Sequence, residues 1–371
     1  MTDGTGGPLA GLRVVEMAGI GPAPFAAMLL ADLGASVIRV TRPGQVDPLG
    51  LEPRFNVVER GRPVVELDVR GGDGRETLAT LIRRADVLVE GFRPGVMERL
   101  GFGPDAALAL NPRLVYGRMT GWGQDGPLAM AAGHDLNYLA LTGAVSCFGP
   151  PDGPPAPPLN LVADFGGGGM YLAFGIMAAL HARTSSGKGQ VVDAAMVDGA
   201  ALLMGMAYGL HAAGEMGGGR GGNLLDGGAP FYRCYQTADG QWITLCPIEP
   251  RFWGEALEKL GLAGEPLFAD QLDRSKWPAQ AERVAGVIAA RALAEWEGVF
   301  AGSDACFAPV VGMDAAPDHP HNAARGTFVE VSGVVQPAAG PRFSATPAGR
   351  PGPVPEGPVG AEEALALWPE G

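Results

Sequence analysis

Short β-branched apolar runs alternate with apolar stretches of helical spacing through the first half of the chain. Residues 12–17 read as a strand, 24–33 as an apolar helix closed by Gly34, and 36–40 as the next strand, ended by Thr41-Arg42-Pro43-Gly44. Residues 64–67 give another strand. A helix follows from about 74 to 85, with Leu78, Leu81 and Ile82 on one face. Residues 87–90 and 114–119 are further β-rich runs. This rhythm predicts an α/β fold with a parallel sheet, helices on both faces and ligands off the carboxyl ends of the strands.

The apolar run at about 170–180 is interrupted by Gly175, too short to span a bilayer, and reads as a buried core helix. Residues 191–193 form the last strand of the sheet, and helical spacing runs from 197 to about 212. The glycine-rich run 214–228 reads as a mobile linker. Beyond it, 231–237 and 241–246 flank Asp239-Gly240 as a β-hairpin, and helices carrying Trp253, Trp277 and Trp296 complete a smaller α+β unit. Residues 335–358 are Pro-rich and expected to run extended over a surface. The expected organisation is a large domain at 1–195, to which 321–371 returns, a helix and linker at 196–228, and a small domain at 229–320.

Apolar residues make up 47% of the 371 and charged residues 18%, an ordinary globular composition. The net charge of −13 disfavours nucleic acid as a partner. No basic segment precedes an apolar leader, so the expectation is a soluble, cytoplasmic protein without a membrane span. Cys147, Cys234, Cys246 and Cys306 form neither a metal pattern nor a disulfide framework; they read as reduced, buried thiols, and no metal or cofactor is expected. Cys306 as a nucleophile lacks a basic partner in view.

Three of the loops at strand ends bring an arginine (Arg42, Arg70, Arg93), although the protein is acidic. Arginine pairs with phosphate by charge-assisted hydrogen bonds, and a solvated loop is the plainer alternative for each. A dinucleotide fingerprint after a strand and a P-loop are both absent. His134 and Asp164 each precede an apolar stretch of helical spacing, so each stands at or near a helix N-terminus, where developing negative charge is favoured. An imidazole and a carboxyl group facing one spot there could take a proton from a carbon and return it to the other side. On local sequence alone, a helix cap at Asp164 and a structural histidine at 134 is the favoured reading.

Several stretches, spanning nearly the whole chain in order, carry a resemblance. They are Gly11-Leu12-Arg13-Val14-Val15-Glu16, Ala31-Asp32-Leu33-Gly34-Ala35, Arg93-Pro94-Gly95-Val96 and Gly133-His134-Asp135-Leu136-Asn137-Tyr138. Leu159-Asn160-Leu161-Val162-Ala163-Asp164-Phe165, Leu225-Asp226-Gly227-Gly228-Ala229-Pro230 and Ile248-Glu249-Pro250 follow. The chain resembles the α-methylacyl-CoA racemases, a branch of the class III (CaiB/BaiF-type) CoA-transferase superfamily. It departs from the usual pattern at Pro63, Leu224 and Cys246-Pro247.

The resemblance implies an acyl-CoA substrate, a Rossmann-like large domain with a small domain, and an interlocked homodimer. It makes His134 and Asp164 the acid/base pair, serving the S and R epimers respectively. Glu249 becomes the partner that orients His134, within one chain or across the dimer. CoA contacts carry over to Arg42, to Leu67, Asp68, Val69 and Arg70, to Arg93 and Arg99, and to Gly133, Asp135, Leu136, Asn137 and Tyr138, with Arg39 a weaker candidate. The rival within the superfamily is a CoA-transferase, in which Asp164 forms an acyl anhydride and a histidine at 134 is not needed. The acyl group is open; Met204, Met206, Leu224 and Leu225 are candidates for its surface or for ordinary packing.

Overall fold

The computed structural model describes residues 6–46 and 50–369. The first compact unit comprises Met1–Thr142, Pro158–Leu203 and Pro317–Gly371, the second Gly143–Pro157 and Met204–Ala316. The expected boundaries shift accordingly. Residues 143–157 group with the second unit, and the helix after the last strand stays with the first.

In the first unit β1 (Arg13–Met17), α1 (Pro22–Asp32), β2 (Ser36–Thr41), β3 (Val64–Glu66), α2 (Gly72–Arg84), β4 (Val87–Glu90), α3 (Val96–Leu100), α4 (Pro104–Leu110) and β5 (Val115–Thr120) follow in turn. Then come α5 (Asp135–Ala140), a π-helical stretch (Leu161–Met170), α6 (Tyr171–Ser186), β6 (Gln190–Ala195) and α7 (Met196–Leu203). The strands lie in the order β3-β2-β1-β4-β5-β6, all parallel, and Pro358–Val359 adds a short strand beside β3. Val14, Val15, Ile38, Val65, Val87, Leu88 and Val115 are buried. This explains the near-continuous apolar runs, because both faces of a parallel sheet are covered. The order reverses between β1 and β4, leaving a crevice at their carboxyl ends.

Two expectations about helices are corrected. The helix at 197–212 is two, α7 and Gly205–Ala212, separated at Met204. The apolar run near Gly175 belongs to one continuous helical stretch, Leu161–Ser186, of 26 residues, which by length and composition alone could cross a membrane. Leu172, Ile176, Ala179 and Leu180 are nevertheless buried, and Leu172 and Ile176 meet β5 at Gly117. The glycines let the π-helical start approach its neighbours. A Cβ on Gly167 would lie 2.5 Å from Ala200 N, and one on Gly199 would lie 1.8 Å from Gly167 O.

The tail is also more structured than an extended surface segment. Val334–Pro337 pairs with Phe328–Val331 as a hairpin, and Arg60 donates to Gln336 Oε1 at 2.8 Å and Pro337 O at 2.8 Å.

The second unit packs Pro250–Leu260, Trp277–Ile288 and Leu293–Phe300 with a three-stranded antiparallel sheet, Arg233–Gln236, Trp242–Leu245 and Phe307–Pro309. Its core is aromatic, with Phe231, Tyr235, Trp253, Trp277, Trp296 and Phe300 all buried. The segment read as a mobile linker is tied by its own polar residues. Asn223, 2% exposed, donates to Gly219 O at 2.5 Å and to Asp226 Oδ2 at 2.7 Å, and Asp226 accepts the Gly221 and Asn223 N–H groups. The cysteines are free, and none is buried: Cys234 and Cys306 are exposed, the other two half-buried.

Candidate active site

A cavity of about 500 Å³ opens at the switch point of the sheet. Its walls come from the turn after β1 (Ile20 to Ala23), the turn after β4 (Gly91 to Pro94), the end of β5 and the segment before α5. His134 and Asp164 both line it. A second cavity of about 850 Å³ shares Ile20, Gly21, His134 and Asn160 with the first and continues past Thr41, Gln45 and Val64 to residues 354–358.

His134 stands at the N-cap of α5 in an extended conformation, φ −134° and ψ 175°, and its N–H donates to Asn137 Oδ1 at 3.1 Å. Tyr138, one turn on, returns its hydroxyl to Gly133 O. Its ring lies so close to Gly121 and Gly133 that a Cβ there would come within 2.1 and 2.7 Å. Trp122 meets the same ring edge-on at 4.7 Å between centroids. The loop that presents His134 is thus clamped from within.

Asp164 is the fourth residue of the π-helical stretch, whose N-cap is Asn160. Such widened turns recur at functional sites. Asn160 Nδ2 donates to Asp164 Oδ2 at 3.3 Å, and a Cβ on Gly21 would sit 3.3 Å from that oxygen. Asp164 therefore does not cap its own helix. The N–H groups of Ala163 and Asp164 donate to Asp135 Oδ2 at 2.8 and 2.7 Å. Burial pushes the Asp164 carboxyl above its usual range; Asp135 adds to this, and Asn160 and His134 oppose it. Phe165 packs on Phe25 at 4.6 Å, whereas Met170 is 53% exposed.

Beneath the loop after β4, Arg118 binds Glu90 at 3.0 Å and Glu98 at 2.9 Å, and the Phe92 N–H donates to Glu90 Oε2 at 2.8 Å. This ties Arg93 to the cavity edge, exposed and lining it. Arg42 and Arg99 are exposed as well. Arg70 is held by Asp68 at 2.9 and 3.0 Å, a pairing that lowers the Asp68 carboxyl. Leu67 is buried in the core and Val69 packs against it, so a ligand there would meet backbone rather than these side chains.

Arg39 lines the second cavity but is only 5% exposed; it lies 3.7 Å from buried Glu16 and 2.5 Å from Glu59, and reaches Gly19 O at 3.4 Å. Within the α5 block the Asn137 and Asp135 side chains are engaged in holding backbone, and Leu136 is exposed. Glu249 lies in the second unit at the N-cap of Pro250–Leu260, with an exposed side chain. Burial, then Glu249, Asp304 and Glu255, push the Cys306 thiol up, which opposes thiolate chemistry. Among the described residues no group of three or more His, Cys, Asp or Glu could hold a metal.

Asn160, Gly21, Trp122 and Met196 also line the cavity. Asn160 was detectable, since i and i+4 share a helix face with Asp164; Gly21 and Trp122 lie just past strand ends, where ligands bind, and Met196 carries no local signal.

The chain is 44% identical over 341 residues to the alpha-methylacyl-CoA racemase of Mus musculus, covering 92% of this chain and 87% of that one. The Homo sapiens protein of the same name is 43% identical over 343 residues, with the same coverage. Among solved structures, a CaiB/BaiF family protein from Brucella suis superposes with a TM-score of 0.80 at 27% identity, covering 98% of both chains. The family model of CoA-transferase family III matches residues 9–359, and the chain belongs to that family.

Proposed function

We propose that the protein interconverts the epimers of 2-methylacyl-CoA thioesters by 1,1-proton transfer through an enolate. The observation that carries this reading is that His134 and Asp164 line one cavity at the ligand edge of the sheet. The likeness to two racemases supports it. One group removes the α-hydrogen and the other, protonated, delivers a proton to the opposite face of the planar carbon. The half-buried Asp164 carboxyl, pushed up by desolvation, suits the protonated role. Asp135 and Leu136 begin α5, so their N–H groups have no intrahelical acceptor and are the donors offered to the enolate oxygen. Those of Ala163 and Asp164 are already taken. Arg42, Arg93 and Arg99 hold the CoA phosphates.

A second copy of the chain covers the face of the 161–186 helical stretch where Phe174 is 73% and Met170 53% exposed. Sedimentation at a monomer's mass would refute that pairing.

The test is incubation of a single 2-methylacyl-CoA epimer in heavy water without an acceptor acid. Deuterium enters the α-position as optical purity falls, and Arg93→Ala raises KM with kcat kept, because phosphate contacts bind ground and transition states alike. An intact α-hydrogen together with transfer of CoA to an added carboxylate would replace this reading with transferase chemistry through Asp164.

A further inference from the structure

Asp135 follows His134 directly, yet its side chain does not serve its own helix. Only 5% exposed, it crosses to the start of the π-helical stretch and accepts two N–H groups on Oδ2, from residues 28 and 29 positions downstream. Its second oxygen, Oδ1, is buried and has no hydrogen-bond partner among the described residues. A neutral amide could accept both N–H groups without the desolvation cost of a charge. The charge therefore calls for a role beyond capping.

We infer that Asp135 is a positioning residue for proton transfer, tying the backbone that carries His134 to the backbone that carries Asp164 and so fixing the two groups against each other. The inference rests on the two-base reading. Its charge has a second consequence. The titratable groups facing Asp164 are Asp135, His134 and Tyr138; Asp135 disfavours a second negative charge beside it, while His134 favours one. Asp135 thus helps Asp164 to hold a proton.

Two substitutions separate the anchor from the charge. Asp135→Ala removes both; Asp135→Asn keeps an acceptor and removes the charge. Exchange of the α-hydrogen is measured for each epimer in heavy water, alongside amide exchange at Ala163 and Asp164 without substrate. Asp135→Ala is expected to slow exchange of both epimers about 10²-fold, the loss typical of a group displaced by an ångström. KM should change little, and the two amides should lose protection. Asp135→Asn should keep the amides protected and recover most of kcat, while the limb of the pH profile set by Asp164 moves to lower pH.

Loss of exchange for one epimer only, or wild-type kcat and pH profile in Asp135→Asn with unchanged amides in Asp135→Ala, would overturn the inference. If Asp135→Ala does not fold, the pH profile of Asp135→Asn decides alone. Failure of the two-base reading is separate: it shows in the wild type, as an α-hydrogen that never exchanges.

Discussion

His134→Ala is expected to abolish racemisation while leaving one epimer exchanging its α-hydrogen with retention. Inversion needs a group on each face of the enolate; exchange with retention needs only one. With the imidazole gone, the epimer whose hydrogen faces His134 has no base. The other still meets Asp164, which lines the same cavity, held by Asn160 and by the Asp135 anchor. Asp164→Ala should give the mirror pattern. A general base contributes about 10²–10⁴-fold, so each loss should be large and confined to one epimer. Chiral chromatography with mass detection reads both quantities in one sample. Equal residual exchange of both epimers in His134→Ala would mean that one mobile base reaches both faces, and the assignment of one group to each face would be lost. The transferase alternative predicts a different split, because an anhydride at Asp164 leaves His134→Ala nearly active.

The parallel sheet of the large unit was legible because strands covered on both faces are mostly apolar, as in Val87-Leu88-Val89 and Val37-Ile38. His134 and Asp164, which line one cavity, were singled out by the helical spacing after each and by the resemblance. Arg39, the weaker CoA candidate carried over from the resemblance, lines the second cavity but is engaged internally. Its register partner in β1 is Glu16, and a charge opposite a charge within two buried strands is an internal pair. Glycine misled twice. At 175 it lies inside one continuous helical stretch rather than interrupting it, and at 214–228 the Asn223 and Asp226 side chains supply the order that composition seemed to deny. The bond from Asp135 to the start of the π-helical stretch left no trace, since nothing in the spacing of 28 residues signals it.

Glu16→Ala is expected to destabilise the protein by about 3–5 kcal/mol, the usual cost of removing one member of a buried ion pair. Glu16 is wholly buried, 3.3 Å from Arg62 Nε and 3.7 Å from Arg39 Nη1. Burial pushes its carboxyl up, Arg62 and then Arg39 pull it back, and burial lowers the Arg62 guanidinium. Without Glu16 two guanidinium groups stay buried. Arg62 is held by Pro24 O and Val58 O and cannot turn to solvent, while Arg39 keeps Glu59. The stranded charge is therefore mainly that of Arg62. Glu16→Met with Arg62→Met should recover much of the loss, since apolar replacement of a buried pair is often neutral. Urea unfolding of the two variants measures the difference. A functional trace is expected as well. Arg39 holds Gly19 O, next to Ile20 and Gly21 in the cavity wall, so the double variant, with Arg39 retained, should keep its exchange rate. A Glu16→Ala protein as stable as the wild type would mean that the arginines are reached by water, and that this network does not hold the loop after β1.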